Sequence, residues 1–125
     1  MDFEGIYTPV ITPFNEDFSI DREGFATVIE HLIETGVHGI VTSGTTGEYY
    51  AQTIAERIEL TQLAKDVIAG RLPLIVGTGA IRTEDSVVLA EAARAAGADA
   101  LMVNSPPYAL PTEAENAEHA LTIDR

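Results

Sequence analysis

The sequence predicts an α/β fold made of four βα units with parallel strands, and three observations carry that prediction. Short apolar runs alternate with amphipathic stretches along all 125 residues, at about thirty residues per unit. The runs are continuously apolar, as expected of parallel strands that helices cover or ring. The connections are also unequal. Helix-to-strand passages are minimal, at Gly36–His38, Gly70–Leu72 and Gly97–Asp99. Strand-to-helix passages, Thr12–Ile20, Gly44–Gln52, Gly77–Arg82 and Asn104–Pro111, are longer and richer in chemistry.

Each element has its own justification. Ile6–Ile11 is rich in strand formers and ends at Thr12-Pro13-Phe14. Asp21 reads as an N-cap, after which Phe25, Val28, Ile29, Leu32 and Ile33 recur at helical spacing up to Gly36. Gly39–Ser43 is a short strand. Thr53 and Glu56 form a capping box that opens a helix with Ile54, Ile58, Leu60, Leu63, Ala64, Val67 and Ile68, stopped at Gly70. Leu74–Val76 is the third strand. Thr83 starts a helix whose Val87, Val88, Leu89, Ala92 and Ala93 run to Gly97, and Ala100–Val103 is the fourth strand. Thr112 and Glu115 repeat the capping box before a last helix. A weak internal repeat, Gly36-Val37-His38-Gly39-Ile40 against Gly97-Ala98-Asp99-Ala100-Leu101, supports the unit structure. No linker, charge block or low-complexity tract interrupts residues 1–125, so a single domain is expected.

Composition narrows the function. With 46% apolar and 22% charged residues the chain reads as globular. The absence of cysteine excludes a disulfide framework, a zinc-thiolate site and a cysteine nucleophile. A net charge of -13 repels phosphate backbones and anionic lipid, so neither nucleic acid nor a membrane surface is an expected partner. No apolar run approaches the ~20 residues of a membrane span. Met1-Asp2-Phe3-Glu4 has no signal-peptide pattern. A cytoplasmic protein acting on a small molecule is the expectation.

In parallel α/β folds the site lies at the carboxyl ends of the strands. Gly44-Thr45-Thr46-Gly47-Glu48 is the most informative segment there. Its glycines permit tight turns, successive N–H groups form an anion-binding concavity, and two hydroxyls donate to a carboxylate or relay a proton. The competing reading is a turn whose threonines cap the next helix. No lysine follows the second glycine, so this is not a Walker A loop. Glu48 serves as a base or tethers its own loop. Tyr108, after Asn104-Ser105-Pro106-Pro107, is a hydrogen-bond donor at the mouth of the site or a packing residue. Gly77-Thr78-Gly79 reads as a close-approach turn or, the better reading, a simple turn, and Thr8, Pro9, Thr12 and Pro13 as structural. Tyr49 and Tyr50 line a pocket or form an oligomer contact. His31, His38 and His119 lack metal-ligand spacing, so neither a metal nor another cofactor is expected. Ser43 lacks the G-x-S-x-G context of a serine hydrolase. An open doubly wound nucleotide-binding domain has the right alternation but no phosphate fingerprint after the first strand.

The order and spacing of Gly5-Ile6 to Thr12-Pro13-Phe14, Gly36 to Glu48, Gly77-Thr78-Gly79 and Pro107-Tyr108 resemble one family. It is the dihydrodipicolinate synthase / N-acetylneuraminate lyase family of pyruvate-dependent class I aldolases. The resemblance implies a (β/α)8 TIM barrel of about 250 residues, of which this chain matches the N-terminal half, from its first βα unit to its fourth. It implies carbon–carbon bond chemistry on a 2-keto acid such as pyruvate, through a lysine Schiff base, in a tetramer of the full-length protein. By the same resemblance Thr45 is the hydroxyl of a proton relay, and Thr46 with Gly47 binds the keto-acid carboxylate. Gly44 and Glu48 support the loop. Tyr108 is the tyrosine that a neighbouring subunit inserts. The family lysine lies on the sixth strand and a second relay tyrosine on the fifth. Lys65, the only lysine here, is on a helix and takes neither role. Pro106 to Pro111 departs from the synthase-like pattern. With Tyr49-Tyr50 this keeps a sugar-acid aldolase or dehydratase open, beside a noncatalytic half-barrel that binds a small carboxylate. Four strands leave two unpaired edges, so a homo-oligomer is expected, with Ile6, Val10, Ile40, Ile75 and Met102 as candidates for the apolar face.

Overall fold

Parallel neighbours cannot be joined by a tight turn, so each strand must return to the sheet through a crossover. The computed structural model, which describes residues 3–125, does this three times, and a fourth helix follows the last strand. The order is β1 (Tyr7–Pro9), α1 (Arg22–Glu34), β2 (Gly39–Thr42), α2 (Ile54–Ile68), β3 (Leu74–Gly77), α3 (Thr83–Ala96), β4 (Ala100–Met102) and α4 (Glu113–Asp124). All pairs are parallel, with Thr8 opposite Ile40, Ile40 opposite Leu74 and Ile75 opposite Ala100. Strand order is β1-β2-β3-β4. A doubly wound sheet would reverse its order at a switch point; this one never does, as in a segment of a TIM barrel.

The helix ends follow the predicted chemistry. Asp21 accepts from Gly24 N at 2.9 Å. In both capping boxes the glutamate reaches back to the cap nitrogen at 2.7 Å, Glu56 to Thr53 and Glu115 to Thr112. Gly36 and Gly97 sit at positive φ just past α1 and α3, where a Cβ would be strained. The end of α2 differs from expectation: Ala69 takes the left-handed cap with φ 49, and Gly70 follows it.

The strands are shorter than their apolar runs. At one end of β1, Ile6 leaves the ladder because His38 captures its backbone: Ile6 N donates to His38 Nδ1 at 3.0 Å, and Ile6 O accepts from His38 N at 2.8 Å. Ser43 leaves β2 at φ 55.

The core lies between sheet and helices. Val10, Ile40, Leu74 and Val76 meet Phe25, Ile29, Leu60, Ala64, Ile68 and Ala93 there. Val10 and Ile40 are therefore not on the open face of the sheet, contrary to expectation. Side chains alternate along a strand, and it is Val41 and Ile75, one residue on from Ile40 and Leu74, that turn the other way. Burying a side chain the size of Ile29 contributes about 1.5–3 kcal/mol. In α3 the inward arc is Ser86, Leu89, Ala90 and Ala93, and Val88 of the expected run points outward. No helix among the described residues is long and apolar enough to cross a membrane.

The capping boxes generate a test. Thr53→Ala should cost about 1 kcal/mol in urea unfolding. Hydrogen bonds from the Thr53 backbone and hydroxyl hold the Glu56 carboxyl below its ordinary value. Its contribution is therefore present at neutral pH and lost as the pH falls through that lowered value. The gap between wild type and Thr53→Ala should narrow over the same acidic range.

Candidate active site

Every strand delivers its carboxyl end to one rim, and strained backbone gathers there. Phe18, Ser43, Glu48, Tyr108 and Leu110 all have positive φ and all lie in loops that follow β1, β2 or β4. Left-handed conformations cost bulky residues energy and persist only where surrounding contacts impose them. On the described chain Ala69, at the opposite end, is the other non-glycine case.

The Gly44–Glu48 loop takes the form of a 3-10 turn over Thr45–Gly47, with a second over Tyr49–Ala51. Gly47 N donates to Gly44 O and Glu48 N to Thr45 O, both at 3.0 Å. Two of the N–H groups expected in an anion concavity are thus consumed by the turn itself. Gly47 anchors the loop: its carbonyl accepts from Thr12 Oγ1 at 2.8 Å and from Gln52 Nε2 at 2.7 Å. A Cβ on Gly47 would stand 3.0 Å from Val10 O. Glycine is required there because the loop lies directly on the end of β1. Among the described residues the Glu48 side chain makes no tether; Thr12 and Gln52 hold the loop instead. The threonines do not cap α2, which Thr53 caps. Thr45 and Thr46 stand exposed just past the carboxyl end of β2.

Beneath the loop, the hydroxyls of Thr42, Ser43 and Thr78 are buried without a partner among the described residues. Buried polar atoms are normally paired, so these give the rim an unsatisfied polar floor. Gly77-Thr78-Gly79 is more than a simple turn: a Cβ on Gly77 would lie 2.3 Å from Ser43 O.

One residue was invisible to motif reading. Arg57, only 3% exposed, donates from Nη2 to Gly77 O at 2.9 Å and from Nη1 to Gly79 O at 2.8 Å. Its guanidinium lies 5.0 Å from the Tyr49 ring centroid. A cation in the first turns of a helix opposes the helix dipole. Burial pushes the Arg57 guanidinium below its ordinary value, and Tyr49 acts the other way. Two carbonyls and an aromatic face compensate, which ties α2 to the exit of β3. An arginine ordinarily reads as a solvated helix face. The available signal was spacing, because Arg57 falls in line with Thr61, Ala64 and Ile68 on the buried stripe of α2.

Tyr49 and Tyr50 meet edge to face at 5.8 Å and line a pocket of about 390 Å³ with Gln52, Arg57, Ile81 and Pro107. Tyr108 is 99% exposed, which leaves its ring without contacts on this chain. The histidines are dispersed. His31 is exposed, His38 binds Ile6, and His119 is buried with Nδ1 2.9 Å from Thr83 Oγ1. Among the described residues no group of three or more His, Asp or Glu is placed to hold a metal ion. Lys65 pairs with Asp99 at 3.3 Å, and that same carboxylate accepts from Leu74 N at the start of β3. Lys65 therefore belongs to the amino-end rim, opposite the threonines.

Comparison with known proteins bears on this geometry. The model of the dihydrodipicolinate synthetase family matches residues 2–124. The chain belongs to this family. A 4-hydroxy-tetrahydrodipicolinate synthase of Salinibacter ruber is 43% identical over 123 residues, covering 98% of this chain and 41% of that protein. The Acinetobacter baumannii dihydrodipicolinate synthase solved with pyruvate superposes with a TM-score of 0.94 at 32% identity, over 98% of this chain and 42% of that one. CdNal from Clostridium difficile, solved with mannosamine, gives 0.96 at 27% identity, over 99% and 43%. The chain thus spans about two fifths of the length of these family members, as the N-terminal half of a TIM barrel.

Arg57→Met should destabilise the chain by about 2–3 kcal/mol, since buried carbonyls at Gly77 and Gly79 lose their donor. Arg57→Lys should recover only part of that, since a single ammonium nitrogen lacks the fork by which two guanidinium nitrogens reach the two carbonyls. Urea midpoints of the three proteins check this.

Proposed function

We propose that this chain carries the carboxylate-binding and proton-relay portion of a Schiff-base aldolase or lyase acting on pyruvate, most like a 4-hydroxy-tetrahydrodipicolinate synthase. The single observation that carries the reading is the Gly44–Glu48 loop, anchored at Gly47 so that the free hydroxyls of Thr45 and Thr46 stand at the carboxyl end of β2. Such chemistry needs an amine to form the imine, a clamp for the keto-acid carboxylate and a path for protons to the aldol oxygen. Thr46 supplies the carboxylate hydrogen bond, and Gly47 lets the ligand approach the backbone. Thr45 passes the proton. Tyr108, free of its own chain, extends the relay into a site on a neighbouring subunit, which makes the working form an oligomer. Gly44 and Glu48 shape the turn. Lys65 stands on the wrong rim to form the imine. A cytoplasmic setting goes with this reading.

A second reading has an observation of its own. The Tyr49–Tyr50 pocket and the departure at Pro106–Pro111 favour a bulkier polyhydroxylated acceptor, as in a sugar-acid aldolase or dehydratase. Both readings share the keto-acid clamp.

Pyruvate titrated into the isotopically labelled chain should shift the amide signals of Gly44 to Glu48. Thr46→Val should weaken that binding roughly tenfold or more, the loss of a charge-assisted hydrogen bond of about 1.5–3 kcal/mol. Unmoved loop signals at millimolar pyruvate would count against the reading. Borohydride treatment in the presence of pyruvate should leave the mass of Lys65 unchanged.

A further inference from the structure

Gln52 lies between the 3-10 turn over Tyr49–Ala51 and Thr53, the N-cap of α2, and both neighbours fix its backbone. Gln52 N donates to Tyr49 O at 3.2 Å, and the capping box holds Thr53. From that point its side chain reaches back to the Gly44–Glu48 loop and to the end of β1. Nε2 donates to Gly47 O at 2.7 Å and to Thr12 Oγ1 at 3.1 Å. Thr12 Oγ1 donates to the same carbonyl at 2.8 Å. Among the described residues no other side chain hydrogen-bonds to Gly44–Glu48.

Thr12 Oγ1 has one hydrogen and gives it to Gly47 O, so it can only accept from Gln52. Turning the amide over would set Oε1 against the Gly47 carbonyl, acceptor against acceptor. The nitrogen therefore faces the loop, and Oε1 is left buried without a partner among the described residues. A buried amide oxygen in that state costs the folded chain stability. Gly47 O, for its part, keeps Thr12 as a donor whether or not Gln52 is there. The amide thus restrains the loop without satisfying any group that would otherwise be orphaned. Arg57 is the opposite case, because Gly77 O and Gly79 O depend on it.

We propose that Gln52 is a positioning residue: it holds Gly44–Glu48 in the form that presents Thr45 and Thr46, and it does so without stabilising the fold. It acts through Gly47 and touches no ligand. On the keto-acid reading of that loop, which this role presupposes, the amide sets how much of the time the loop is ready to bind. A protein whose competent form is only partly populated binds with an affinity reduced by that fraction. Removing the amide therefore gives weaker binding and a more mobile loop, with α2 and the core undisturbed.

Gln52→Met keeps the length and shape of the side chain while removing both donors and the unpartnered oxygen. Three measurements on the isotopically labelled protein test the assignment. The urea midpoint of Gln52→Met should equal or exceed that of wild type, whereas Arg57→Met is expected to lower it. The amides of Gly47 and Glu48, which bond to Gly44 O and Thr45 O within the turn, should exchange with solvent several-fold faster. Those of α2 should exchange at the wild-type rate. The pyruvate dissociation constant read from the loop amides should rise roughly three- to tenfold, as for one net hydrogen bond. A fall in the midpoint, or unchanged exchange at Gly47 and Glu48, overturns the proposal, as does faster exchange with unchanged pyruvate affinity. A wild-type loop that does not respond to pyruvate overturns the keto-acid reading instead, and exchange and midpoint alone then decide whether Gln52 positions the loop.

Discussion

Parallel pairing is the constraint from which the rest of this molecule follows. Strands that run the same way need a helical return each time, and the return begins at the carboxyl end of one strand and finishes at the amino end of the next. Three or four residues suffice at the amino rim, where Gly36 and Gly97 turn the chain directly into β2 and β4. The carboxyl rim receives the longer loops because each must leave the sheet and climb over it. Four loops brought to one rim are the precondition for any site that combines Thr45, Thr46 and the exit of β3.

Holding those loops takes specific polar contacts, since a rim offers little apolar burial. Thr12, at the end of β1, and Gln52, just before α2, converge on one carbonyl at Gly47. Arg57 performs the equivalent task for Gly77 and Gly79 from inside α2. These ties cross between elements that are far apart in sequence, so loosening one would free a whole loop rather than a single side chain. They also leave the hydroxyls above them unused. Contacts to Gly47 and from Arg57 fix the backbone, and Thr45 and Thr46 stay exposed above them.

The amino rim behaves differently. There Lys65, Asp99 and Leu74 form a closed set in which the one carboxylate serves both an ammonium and a strand-initiating N–H. Arg71, in the connection from α2 to β3, meets Glu30 of α1 at 2.6 Å. An exposed pair of that kind stabilises little. Charges at this end are matched locally, and the only lysine is held in that matching.

Much of the fold was readable in one dimension because its signals are local. A capping box is complete within four residues, so Thr53–Glu56 and Thr112–Glu115 are legible without knowing what they pack against. The glycine after α1 and the continuous apolar runs are legible for the same reason, and together they determine the order of elements. The Gly44–Glu48 motif was legible as a strand-to-helix loop, while the way each of its residues is held depended on neighbours. Gly47 became an anchor because the end of β1 lies underneath it. Arg57 became a buried clamp because β3 ends beside the first turn of α2. Val10 and Ile40 entered the helix-side core because the pleat gave them that face, which a continuously apolar strand does not encode. Tertiary structure decided these matters since each depends on which distant backbone stands opposite, and a carbonyl seeking a donor leaves no mark in the residue that bears it.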